Sequence, residues 1–341
     1  MGEMLLYLGI IAVATVVVWK GSDLLEDAAE KLSAYYGLPS VVHGTIVVAV
    51  GSSFPELSST VLATLLHGEF ELGLSTVVGS AIFNILVIPG LSGLAAKKTL
   101  KTDRDLVYKD AQFYITSVAM LIITFCFAVI YNPKEGGTNL EGYISPLLAL
   151  APLALYGLYI FIQAQDVKDA KQPRDKTVNV KRAWFILFIS LILIVAGVEG
   201  LVNAAIFMGD YFGTPSFLWG ILVIATATSI PDAIISVRLA KRGDSVSSLG
   251  NVIGSNIFDL LVAIPAGVII AGPTLISLGV AVPLLAVLTL ATLQLFISMR
   301  LRLGLSIRES WLLLFSYSIF IVWMIFETFG ITTWIPGAQM Q

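Results

Sequence analysis

Ten separate apolar runs, most near or above the roughly 20 residues a helix needs to cross a bilayer core about 30 Å thick, leave this 341-residue chain little choice of architecture. They lie near 4–19 (continuing toward 34), 40–66, 72–95, 111–131, 143–163, 183–207, 216–238, 246–272, 276–297 and 310–330. In lipid every backbone polar group needs a partner within its own segment, so each run reads as a helix. The expected fold is all-α: a polytopic membrane protein with ten transmembrane helices. Only 13% of the residues are charged, about half the usual share. A net charge of −3 gives no reason to expect nucleic acid, and the single Cys126 excludes an intrachain disulfide and thiolate-cluster zinc. Glu3 precedes the first run and Lys20 follows it. That polarity is wrong for a cleaved signal peptide, so the run is expected to be the first membrane helix, with the N-terminus outside.

Basic residues favour cytoplasmic loops. With ten spans and an outside N-terminus, nineteen of the twenty Lys and Arg fall inside, in the loops after spans one, three, five, seven and nine; Lys134 alone falls outside. The long polar connector is 164–182. It divides the chain into a first five-span unit (1–163) and a second (183–341). Five is odd, so two related halves must be inserted with opposite orientation.

The halves are related. At an offset of 176, Gly37-Leu38-Pro39-Ser40 matches Gly213-Thr214-Pro215-Ser216, and Gly51-Ser52-Ser53-Phe54-Pro55-Glu56 matches Ala227-Thr228-Ser229-Ile230-Pro231-Asp232. At 175, Val78-Gly79-Ser80-Ala81-Ile82-Phe83-Asn84 matches Ile253-Gly254-Ser255-Asn256-Ile257-Phe258-Asp259.

These motifs place Glu56, Asp232 and Asp259 inside membrane spans, where each acid costs about 2.5–3.5 kcal/mol. No Lys or Arg lies in those spans away from their ends, so a bound cation, or protons on the carboxyls, is expected to supply the missing charge. Pro55 and Pro231 sit mid-span and lack an N–H. Each is expected to break its helix and free carbonyls, a device that coordinates ions in transporters. Ser52, Ser53, Thr228, Ser229, Ser80 and Ser255 add hydroxyls and Asn84 an amide oxygen. Hard oxygen donors without imidazole or thiolate suit calcium or sodium.

The pairs GSSFPE…GSAIFN and ATSIPD…GSNIFD resemble the two alpha-repeats of the cation/calcium antiporter superfamily, in particular its sodium/calcium exchanger branch. The resemblance implies a calcium site of Glu56 and Asp232 with the oxygens around Ser52, Ser53, Thr228 and Ser229. It implies flanking sodium sites using the Ala49 and Ala225 carbonyls with Ser53, Ser80, Ser229 and Ser255, and a middle completed by Asn84 and Asp259. It also implies that spans one and six slide as a gate. Ala81 replaces the usual Asn of the first motif; its mate Asn256 is expected to serve helix packing. Asp232 and Asp259 resemble potassium-dependent exchangers, whereas Gly51-Ser52 is unlike proton-coupled ones. The function implied is a secondary antiporter of the cell membrane, functional as a monomer, exchanging calcium for sodium, its termini outside, with no cofactor beyond the transported ions. Potassium-dependent or proton-coupled exchange, and a cation channel, are the alternatives. An enzyme is not expected, because no His stands beside the Ser and Asp residues.

Elsewhere, Glu199 is the repeat mate of Asp23 and is read as a hydrogen-bonded glutamate at a helix interface. Asp23, Glu26, Asp27 and Glu30 are read as a solvated face, with an ion vestibule as the alternative, His43 as a satisfied buried histidine, and His67 with Glu69 and Glu71 as a surface turn. Trp19, Trp184, Trp219, Trp311 and Trp334 read as an interfacial belt.

Overall fold

The computed structural model describes residues 2–38, 49–136, 140–166 and 174–336. His43, Pro39, Ser40, Lys168, Lys171 and the start of the second apolar run lie outside the described residues. The helices are α1 (Gly2–Tyr36), α2 (Ala49–Ser52), α3 (Phe54–His67), α4 (Phe70–Ala96), α5 (Leu106–Tyr131), α6 (Pro146–Asp166), α7 (Val180–Phe212), α8 (Ser216–Arg242), α9 (Ser245–Ala271), α10 (Leu278–Arg302) and α11 (Ile307–Thr328). Among the described residues, nine are long and apolar enough to span a membrane. The tenth crossing is α2 and α3, interrupted at Ser53. Large apolar side chains on the outer helices, among them Leu147, Leu290, Trp311 and Phe315, are exposed, as a lipid-facing surface requires.

Four short strands fix the direction of the chain. β1 (Leu100–Lys101) pairs with β4 (Gly304–Leu305), and β2 (Glu141–Ile144) with β3 (Thr274–Ser277). α10 runs from β3 to β4, so the two small sheets lie at its opposite ends. α4 ends at β1 and α9 ends at β3. These repeat mates therefore run in opposite directions, and each sheet takes one strand from each half, as a two-fold axis in the membrane plane would generate. Asp175 N–H donates to Ala34 O at 3.0 Å and Trp184 Nε1 to Tyr36 Oη at 3.4 Å, bringing the connector and the start of α7 to the end of α1. On the other face, Ser216 Oγ donates to Glu69 at 2.9 Å. The loop alternation read from the basic residues is thus the observed one. Gly37 and Gly213, Gly68 and Gly243, and Lys97 and Gly272 all have positive φ, so the helix ends repeat in conformation as well as in sequence.

The core divides in two. The larger part surrounds α4, which is apolar and buried on every side. The smaller lies beneath α1 and α7, which pack closely: Gly197 stands against Val18 and Ala14, and Tyr7 stacks on Phe207 with centroids 3.8 Å apart. Around Thr60, small residues set the interhelix spacing. A Cβ on Gly73 would lie 2.7 Å from Thr60 Cα, and one on Gly267 2.7 Å from Thr60 Cγ2.

The two prolines act differently, which corrects the symmetric expectation. Pro55 lies at the start of α3, where a missing N–H is harmless, and the crossing is broken just before it. Pro231 lies inside an uninterrupted α8. The second half distorts elsewhere, in π turns at Gly220–Ile224 and Asp259–Ala263. The latter immediately precedes Pro265, which has no N–H for the carbonyl of Leu261, so the helix register widens there.

Candidate functional site

The broken crossing α2–α3, α4, α8 and α9 bring both pairs of repeated motifs together in the middle of the protein. Glu56 lies in the first turn of α3, whose free N–H groups and positive dipole end favour a carboxylate. Ser80 on α4 donates to Glu56 Oε1 at 3.1 Å and lies 2.8 Å from Ser229 Oγ on α8. Ser52 Oγ lies 3.0 Å from Ser255 Oγ on α9. Both hydroxyl pairs cross from one half to the other. Asp232 and Asp259 lie within electrostatic reach of Glu56 and of each other. Thr228 Oγ1 donates to the carbonyl of Ala225 at 3.3 Å, directly after the π turn of α8. Ala49 opens α2 at the corresponding place in the first half.

Glu56, Asp232, Asp259, Asn84, Ser52, Ser53, Thr228, Ser229, Ser80 and Ser255 are each 2% exposed or less. Within that burial, six oxygens have no hydrogen-bond partner: Ser53 Oγ, Glu56 Oε2, Asn84 Oδ1, Asp232 Oδ1 and both carboxylate oxygens of Asp259. An unpartnered buried polar atom costs about 1–3 kcal/mol, and more if charged. No basic residue forms an ion pair with the three acids among the described residues. A cation is the partner that such a set of hard oxygens accepts. Among the described residues no three acidic, His or Cys side chains group tightly enough to hold an ion by themselves. Any ion here would draw on hydroxyl and amide oxygens too.

Asn256 is engaged otherwise. Its Oδ1 accepts from Asn84 Nδ2 at 3.0 Å, and its Nδ2 donates to Ala81 O and Tyr114 Oη, each at 3.1 Å. The Asn expected to serve packing thus also holds the amide of Asn84 so that Asn84 Oδ1 stays free. Tyr114 carries no motif in the sequence, and this contact spans the two halves, so no local signal reveals it.

Three sequence readings change or sharpen. His67 is not part of a simple surface turn: its Nε2 lies 2.9 Å from Glu199 Oε1 on α7. Glu199 also accepts from Asn203 at 2.7 Å, which fits its reading as an interface glutamate. Asp27 is exposed, in keeping with a solvated face, but Glu26 is half-buried against the backbone of α2.

The chain matches a family described as sodium/calcium exchanger protein over residues 6–165 and 182–326. It is 29% identical over 292 residues to the inner membrane protein YrbG of Escherichia coli (strain K12), covering 82% of this chain and 83% of that one. Its fold is similar to that of an H+/Ca2+ exchanger CAX (TM-score 0.70, 16% identity, 96% and 89% of the two chains). It is also similar to that of the sodium-calcium exchanger NCX_Mj (TM-score 0.61, 23% identity, 94% and 99%).

Proposed function

The chain belongs to the sodium/calcium exchanger protein family, and on that premise we propose that it is a secondary antiporter exchanging calcium for sodium at the buried oxygen cluster. Calcium takes six to eight oxygens at about 2.3–2.6 Å. The observation that carries the reading is the six unpartnered buried oxygens, contributed by both halves. Glu56 and Asp232 would hold calcium with Ser52, Ser53, Thr228 and Ser229. Sodium would use the Ala49 and Ala225 carbonyls with Ser53, Ser80, Ser229 and Ser255, and Asn84 and Asp259 would close the middle. The units are 1–163 and 183–341, joined by the connector 164–182, with the basic face toward the cytoplasm of a cell membrane and a monomer as the working unit.

Coupling follows from electrostatics. The empty cluster would gather up to three negative charges in a low-dielectric interior, where like charges repel strongly. Rearrangement between the two faces is then easy only when cations neutralise the cluster, and calcium and sodium compete to do so. No covalent chemistry is needed.

The test is calcium flux in proteoliposomes of purified protein. A sodium gradient drives calcium uptake against its own gradient, and Glu56→Gln abolishes that uptake while the protein still folds. Downhill calcium movement alone would identify a channel. Calcium accumulation that needs potassium, or a pH gradient without sodium, would replace sodium coupling by one of the two alternatives.

A further inference from the structure

Outside the central cluster, α1 carries a line of oxygens that the exchange site leaves unused. Ser22, Glu26 and Glu30 stand four residues apart, so they share one face of the helix in steps of about 6 Å. Exposure falls along the line: Glu30 is exposed, Glu26 half-buried and Ser22 1% exposed. Glu26 lies against the broken crossing, its Cγ 3.7 Å from the place a Cβ on Gly51 would occupy. It is also within electrostatic reach of Asp232.

No base offsets Glu26 among the described residues, because Lys20 sits beside Asp23 and Lys31 beside Asp27. Ser22 Oγ, at the buried end of the line, has no partner, and neither has Asp232 Oδ1 on α8. The hydroxyl of Ser22, like that of Ser58, lacks the bond most helical hydroxyls here make. Thr15, Thr60 and Ser190 each donate to a carbonyl one turn back in their helix, and Ser22 does not.

We propose that Glu26, with Ser22 and Asp232, forms an access site at which the transported divalent cation is first held between α1 and α8 on its way from the basic face. The inference rests on the reading that the central cluster binds calcium. A carboxylate from each helix and the hydroxyl of Ser22 are hard donors that accept a partly hydrated ion, and Glu30 extends the attraction to the surface. Glu26 lies toward the basic face, so its effect must be one-sided.

The experiment titrates calcium separately on each face of proteoliposomes in which the protein has a single orientation. Glu26→Gln is expected to raise the half-saturating calcium concentration several-fold on the basic face and to leave the opposite face unchanged. Glu26→Asp, which keeps the charge, is expected to recover most of the loss. An equal shift on both faces, no shift on either, or an Asp variant as impaired as the Gln variant would overturn the access site. If Glu56→Gln silences exchange while Glu26→Gln behaves as the parent protein, the access site alone fails. If Glu56→Gln leaves exchange intact, the reading beneath it fails.

Discussion

Asn84 donates its amide N–H to Asn256 at 3.0 Å and keeps its own Oδ1 free of any hydrogen bond. The two residues come from opposite halves, on α4 and α9. One neutral side chain thereby fixes the orientation of another, so that an oxygen rather than an N–H group of Asn84 is left unpartnered in the buried interior. The tether of its Nδ2 to Ala81 and Tyr114 keeps Asn256 from turning.

Asn256→Leu separates shape from orientation. A Leu fills much of the same volume but leaves the Asn84 amide and the Tyr114 hydroxyl without this partner, each worth about 1–3 kcal/mol when buried. The expected outcome is a half-saturating calcium concentration raised by about tenfold, the equivalent of ~1.4 kcal/mol. The thermal unfolding midpoint in detergent is expected to fall as well. A variant with parental calcium affinity would reduce Asn256 to a packing residue.

Close approach of α3 and α9 gives a second prediction. Gly267→Ala places a methyl group 2.7 Å from Thr60 Cγ2, and overpacking of this kind costs about 1–3 kcal/mol. Thr60→Ser removes the methyl that is met, so the double variant is expected to regain part of the loss. Unfolding midpoints of the two single variants and the double variant read this directly, and additive losses would contradict the contact.

Much of this architecture is legible in the sequence because its causes are local or periodic. Apolar run length dictates the spans, and an odd number of spans per half dictates opposed insertion. The absence of any base beside Glu56, Asp232 and Asp259 marks the cluster. What escapes the sequence is set by contacts between segments far apart in the chain and by where each half distorts. Pro55 and Pro231 occupy matching positions, yet only the first lies at a helix break, and the second half distorts instead in π turns at Gly220–Ile224 and Asp259–Ala263. Pro265 is the one local signal for the latter. Glu26 looks solvated in a run of acids on α1, and only the fold brings it beside Gly51. His67 and Glu199 stand 132 residues apart, with nothing in either neighbourhood to announce their pairing.

Direct location of the ion tests the central claim more sharply than any flux. A crystal structure of the protein in calcium, with the ion identified by its anomalous scattering, is predicted to show calcium at about 2.3–2.6 Å from carboxylate oxygens of Glu56 and Asp232. Hydroxyl or carbonyl oxygens from both halves would complete the shell. Calcium bound elsewhere, or held by one half alone, would contradict the account.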